Sequence, residues 1–116
     1  MKSSIAESKL MEFDWGRIDW LASGEQGNSD AMTFGRVTIL AGCANPRHLH
    51  PNCEEILHLA AGSLTHTLGD ASIAMSAGDT ITIPSGIFHN ATAVGSHDAV
   101  MYVAFSSPDR QFEPES

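Results

Sequence analysis

The sequence predicts an all-β domain: a sandwich or small barrel built from short strands. Apolar runs rich in Val, Ile, Thr and aromatic residues recur at short intervals. Clusters of Gly, Pro, Asn and Asp separate them, and a turn signal every roughly 8–12 residues is the pattern of such folds. A length of 116 residues fits one domain with one core.

Residues 1–10 are polar and expected to be loose or weakly helical. Residues 13–21, with Trp15 and Trp20, are apolar enough for a first strand or arm, and residues 24–30 form a polar loop. Residues 32–41 carry Phe34, Val37, Ile39 and Leu40 without helical periodicity, which predicts a strand. The segment 48–50 reads as extended, Pro51-Asn52 as a turn, and residues 55–61 as a returning strand. In 63–68, Leu64, His66 and Leu68 alternate with Ser63, Thr65 and Thr67, the signature of a half-buried strand. Gly69-Asp70 turns the chain into a short strand at 72–75, and Ala77-Gly78-Asp79 turns it again. Residues 80–83 alternate and stop at Pro84; 89–94 and 99–105 complete the set around a turn at 95–98. Residues 1–12 and 107–116 are expected to be loosely ordered ends.

Composition removes several function classes. Net charge is −8, and the six basic residues (Lys2, Lys9, Arg17, Arg36, Arg47 and Arg110) are scattered. Nucleic acids and anionic membranes need clustered cations, so neither is an expected partner. No apolar run approaches the roughly 18 residues of a membrane span. The first seven residues lack an apolar signal core, which points to a cytoplasmic protein, and there Cys43 and Cys53 are expected as free thiols.

His48, His50, Glu55 and His89 are the chemically informative set. Positions i and i+2 of a strand share a face, so His48 and His50 project together while Leu49 points away. Glu55 opens the returning strand, and His89 arrives 34 residues later through the fold. Four ligands from three strands require a closed or nearly closed sheet. Neutral imidazole suits Zn, Cu, Fe and Ni, and a carboxylate extends the choice to Mn. A lone His-x-His pair reads as ordinary solvent-facing polar residues; the added glutamate and third histidine favour a metal.

The spacing resembles a known family. Gly42, five residues, His48-x-His50, four residues, Glu55, six residues and Gly62 match the first motif of the cupins, at 42–62. Gly78, five residues, Pro84-x-Gly86, two residues and His89 match the second, at 78–93. That motif usually ends on Asn after three further residues, where this chain has Ala93, with Asn at 90 instead. The resemblance implies a double-stranded β-helix, a jelly-roll barrel, with the metal inside, held by His48, His50, Glu55 and His89. The glycines and Pro84 shape turns around the ligands.

Other residues carry weaker signals. Glu54 should face solvent, because alternation forbids both glutamates from facing inward. His66 shares an apolar face with Leu64 and Leu68: a satisfied core histidine by default, an acid/base group of the cavity by the functional reading. Tyr102 is a second candidate to carry a proton. His58 should point out of the pocket, His97 should be solvated, and Arg47 should make a salt bridge. Cys53 should pack rather than ligate.

Four protein ligands leave one or two positions open on a five- or six-coordinate ion, so the resemblance implies catalysis at one divalent metal per chain. Fe, Mn or Ni are favoured, with Zn or Co as lesser options. The first expectation is an oxygen-dependent, dioxygenase-like oxidoreductase acting on a small oxygenated organic substrate. The others are a non-redox isomerase or lyase acting on a sugar or carbonyl compound, and a non-catalytic metal or small-ligand binding module. A transcription factor with an added helix-turn-helix is not expected at this length. A homodimer is expected, with Trp15 and Trp20 on a partner-facing strand.

Overall fold

The computed structural model describes residues 1–116 as two antiparallel sheets that face each other. The strands are β1 (Lys9–Phe13), β2 (Gly16–Ala22), β3 (Thr33–Ile39), β4 (His48–Leu49), β5 (Glu55–Ala61) and β6 (Ser63–Leu68). There follow β7 (Ala71–Ser76), β8 (Thr80–Ile83), β9 (His89–Ala93), β10 (Ala99–Phe105) and β11 (Glu113–Pro114). One sheet has the order β1-β2-β3-β10-β5-β8, the other β11-β4-β9-β6-β7. This is the jelly-roll barrel that the strand spacing and the motifs predict. The only helical segment is the 3-10 turn Ile5–Glu7.

Alternation along the strands builds the core. In β10, Ala99, Met101, Val103 and Phe105 point inward, while Val100, Tyr102 and Ala104 lie on the outer side. Strands β3 and β5 repeat the pattern, burying Val37 and Ile39 from one and Leu57 and Leu59 from the other. A period of two with one buried face fixes register, since a one-residue slip would turn every apolar side chain outward. Leu64, Met75, Ile83, Ala91 and Ala93 close the core from the second sheet and β8.

Glycines act where the chain must reverse or come close. Gly62 has φ +82° between β5 and β6, and a Cβ there would stand 2.6 Å from the Asp98 carbonyl oxygen. Gly35 lies opposite Trp20 in the β2–β3 register, and the indole covers it.

The ends hold more structure than their polarity suggests. The expected arm at 13–21 is a hairpin of β1 and β2, starting at Lys9. The last residues add β11 to the edge of β4, with Arg47 paired to Glu115 at 3.0 Å. Trp20 is buried and Trp15 packs against the core, so the two tryptophans face the interior rather than a partner. The hairpin instead exposes Leu10, Met11 and Phe13.

Gly35→Ala tests this packing. Its Cβ would sit 2.8 Å from Trp20 Cε3, so the indole must move. Overpacking of this kind costs about 1–3 kcal/mol. The expected result is a lower denaturant midpoint with altered near-ultraviolet circular dichroism; an unchanged midpoint contradicts the contact.

Candidate metal centre

One short strand, the residue just past it and two strand starts bring the ligand candidates together. On β4, His48 stands directly opposite His89, the first residue of β9. His50 follows β4, and its carbonyl accepts the Gly86 N–H at 2.9 Å, which ties the first motif to the second. Gly86 has φ +79°, a left-handed conformation that glycine adopts without strain. Glu55 opens β5, paired with Phe105 of β10 on one side and Ile83 of β8 on the other.

One ring nitrogen from each of His48, His50 and His89 lies within 4.8 Å of the others. Glu55 Oε1 is 3.2 Å from His89 Nε2 and 3.5 Å from His50 Nε2. The opposite ring nitrogens are already engaged. His48 Nδ1 donates to the Pro46 carbonyl at 2.7 Å, His50 Nδ1 to the Gln111 carbonyl at 2.7 Å, and His89 Nδ1 to the Ile87 carbonyl at 2.9 Å. A carbonyl can only accept, so each bond places a proton on Nδ1, and the neutral form of each ring carries its lone pair on Nε2.

That arrangement fits a cation. His50 Nε2, His89 Nε2 and Glu55 Oε1 are fully buried, and none has a hydrogen-bond partner. Without a proton or a cation at that point, the Nε2 lone pairs would oppose the Glu55 carboxylate. Buried acceptors left in this state cost free energy. A divalent ion at their centre satisfies all of them at once, and the backbone bonds to Nδ1 supply the outer support typical of metal-ligating histidines.

The electrostatics have the same origin. Burial pushes the His48 imidazole down to about 4, with His89 and His50 adding to the shift against the bond to Pro46. Burial alone would raise the Glu55 carboxyl, but its contacts with His50 and His89 outweigh it and hold the group at about 2. Both groups are thus in their ligating forms at neutral pH.

Beside the ligands lies a cavity of about 350 Å³, a size typical of small-molecule sites. Its walls are largely apolar and include Phe13, Trp15, Trp20, Val37, Met101 and Phe112. Asn45, Asn90, His66 and Arg110 supply the polar points besides the ligand set.

The family model for the Cupin domain matches residues 35–105. The chain belongs to the cupin family. It is 33% identical over 85 residues to a germin-like protein 3-8 of Oryza sativa subsp. japonica, covering 69% of this cupin and 38% of the relative. It is 34% identical over 88 residues to oxalate oxidase 1 of Hordeum vulgare, covering 69% and 44%. The chain thus spans less than half the length of these relatives. Among solved structures, Bacillus subtilis oxalate decarboxylase, studied for its Mn(II) centres, superposes with a TM-score of 0.86 at 20% identity. That match covers 95% of this cupin and 30% of the decarboxylase. At that identity the likeness is one of fold.

The remaining candidates separate clearly. His66 is buried on β6 and lines the cavity, its ring stacked on His89 with centroids 5.8 Å apart. Its Nδ1 is buried without a partner. Burial, then the neighbouring His89, pushes its imidazole down to about 4, so it is neutral at pH 7. Tyr102, expected as a proton carrier, is corrected: it sits at an outward position of β10, stacked on Phe34 with centroids 5.9 Å apart, and does not line the cavity. Strand parity is the reason, because Met101 and Val103 take the inward positions.

Glu54 is exposed while Glu55 is buried, His58 points outward to Thr80 at 2.8 Å, and Cys43 and Cys53 are free. Asn90 lies on β9, where its side chain binds the Thr67 hydroxyl and, at 3.0 Å, the Asn45 carbonyl.

Sequence reasoning missed residues 110–112. Arg110 and Phe112 line the cavity, Phe112 stacks on His48 at 4.9 Å, and the Gln111 carbonyl holds His50. The one available signal was an isolated aromatic in an otherwise polar tail.

The buried imidazoles predict how stability depends on pH without metal. The ordinary imidazole value is 6.5, against about 4 for folded His48 and His66. The unfolded chain therefore binds more protons over that interval, and stability falls as pH drops through it. Glu55, at about 2 against 4.5, extends the loss to lower pH. The melting temperature of metal-free protein should decline steadily on acidification from 6.5 to 4, and His66→Phe should flatten the slope. A rise on acidification would contradict the buried neutral imidazoles.

Proposed function

We propose that this cupin is a metal-dependent enzyme, an oxygen-dependent oxidoreductase acting on a small oxygenated organic substrate chelated at one divalent metal. His48, His50, Glu55 and His89 are its ligands in this reading. The observation that carries it is the convergence of three imidazoles, each held through Nδ1 by a backbone carbonyl, and a carboxylate on one buried point. Three nitrogens and one oxygen leave open positions on an octahedral ion, which favours Fe, Mn or Ni over a closed zinc site. The Mn(II) centres of the decarboxylase neighbour add support for manganese.

Such an ion supplies Lewis acidity and, if iron or manganese, a one-electron redox couple. The chain supplies the rest. The carbonyls of Pro46, Gln111 and Ile87 hold the rings in place, so little reorganisation is needed when substrate enters. The apolar walls exclude water and strengthen every charge interaction inside. His66, neutral beside the ligands, can accept a substrate proton but has none to spare as an acid. Glu55 is committed to the ion, and Tyr102 has no part.

A lyase is the second reading, because the similar proteins divide between oxidases and decarboxylases. Dioxygen dependence separates the two.

The test is elemental analysis of protein purified without chelator or metal-affinity resin, beside His48→Ala and His89→Ala. Near-stoichiometric Fe, Mn or Ni that disappears in the variants is expected. Oxygen uptake is then measured with oxalate, enediol and phenolic compounds. His66→Gln should retain the metal and slow turnover by about 10²-fold or more if it moves the proton. Metal absent from all samples overturns the metal reading, and undiminished turnover without dioxygen moves the enzyme to the lyase class.

The free edge of strand β1, which carries the exposed Leu10, is the surface we propose for a homodimer. Light scattering after size exclusion should give twice 12.4 kDa; a monomer at micromolar concentration contradicts it.

A further inference from the structure

Arg110 is a cation on the wall of the apolar chamber, between it and a second, polar cleft, and no carboxylate pairs with it. Its guanidinium carbon lies 4.4 Å over the Trp20 ring and 5.3 Å from the Phe105 ring. These faces hold the plane of the group by cation–π attraction and leave its edge free. That edge carries five N–H donors in a fixed fork. None makes a hydrogen bond or ion pair, while Arg17, Arg36 and Arg47 are all paired with carboxylates.

The backbone around it is held firmly. Asn52 grips both sides of the residue: its Nδ2 donates to the Asp109 carbonyl at 2.8 Å, and its Oδ1 accepts the Gln111 N–H at 2.9 Å. The Gln111 carbonyl in turn holds His50. Phe105 touches both the His50 ring, at 4.8 Å, and the guanidinium. The cation is thus mounted one aromatic ring away from the ligand cluster, on the same wall of the cavity.

Charge balance decides what the fork is for. Glu55 is the one carboxylate that lines the chamber, and its oxygen is directed at His50 and His89. A divalent ion bound there would leave the chamber with excess positive charge. A largely buried guanidinium without a counter-ion is costly, and planar bidentate binding of a carboxylate is what its geometry favours. The chamber is also too large and too apolar for a small dianion such as oxalate to fill. About 350 Å³ lined by Phe13, Trp15, Trp20, Met101 and Phe112 matches a hydrocarbon or aromatic body.

We propose that Arg110 is the substrate-anchoring residue, and that the substrate is an organic carboxylate with an apolar body, its carboxylate on Arg110 and its chelating oxygens toward His48, His50, Glu55 and His89. This deepens the reading given above and rests on it for the chelating end. The anchoring end stands on Arg110 alone.

The test separates the two ends. Metal-free protein and protein loaded with Mn(II) are titrated calorimetrically with 3-phenylpropanoate, with its neutral amide and, in the metal-free form, with oxalate. In both forms the acid should bind at least 10-fold tighter than the amide, and more tightly than oxalate in metal-free protein. Arg110→Met, which keeps an apolar stem over Trp20, should bring acid and amide within about 2-fold without changing amide affinity. Arg110→Lys keeps the charge and should retain part of the preference, which guards against a folding defect in the first variant.

Equal binding of acid and amide to the native protein overturns the proposal. So does a preference that survives in Arg110→Met, because the carboxylate would then sit on the metal. Oxalate binding as tightly as the larger acid overturns the apolar body. Metal content, measured on the same samples, reports on the metal reading independently: a protein that takes up no Mn(II) but prefers the acid through Arg110 retains the anchor and loses the metal.

Discussion

Three backbone carbonyls control this molecule. Pro46, Gln111 and Ile87 each take the Nδ1 proton of one imidazole, so three Nε2 lone pairs are presented together rather than in a mixture of tautomers. Each carbonyl must be delivered by a different stretch of chain, and the barrel makes that delivery possible. The 2-residue strand β4 is short because its role is to set His48 against His89 and release the chain toward His50. The Gly86 turn is left-handed and returns its N–H to the His50 carbonyl. The buried Glu55 adds a negative charge beside the imidazoles that a bound cation would balance.

Much of this was legible in the chain. Alternation in residues 63–68 and the apolar run at 99–105 predict strands that match β6 and β10. The candidate ligands were legible for a different reason: their types are rare together, and the turn residues between them fix the spacing. Alternation admits only one of Glu54 and Glu55 to the interior, and the six-residue spacing to Gly62 favours Glu55. Alternation would have decided Tyr102, had Met101 and Val103 been taken as the inward pair; a polar aromatic was instead credited with chemistry its strand position does not support. Residues 107–116 were illegible because nothing in them alternates. They are held by single contacts, such as Asn52 to Asp109 and Arg47 to Glu115, that no local pattern encodes.

The division of labour between the sheets follows from the same geometry. The second sheet contributes His48, His66 and His89 through β4, β6 and β9, while the first contributes Glu55 and most of the apolar walls. A cavity of this size takes side-chain contacts away from the core, so the walls cannot rely on mutual packing. Stacking supplies part of the deficit: Phe13 on Trp15, Trp20 against Phe105, Arg110 over both, and Phe112 on His48. Aromatic faces keep their orientation while leaving one side open, which aliphatic packing does less well.

The Gln111 carbonyl gives the end of the chain an unusual standing. Because it orients His50 while Arg110 and Phe112 flank it in the cavity, one stretch of three residues touches both the chemistry and its selectivity. Related barrels can therefore diversify by rewriting a tail instead of a strand, changing side chains at 110 and 112 while the peptide unit at 111 goes on serving the histidine. For the protein engineer the segment is a replaceable cassette with one fixed point: its side chains are open to exchange, and its backbone is not.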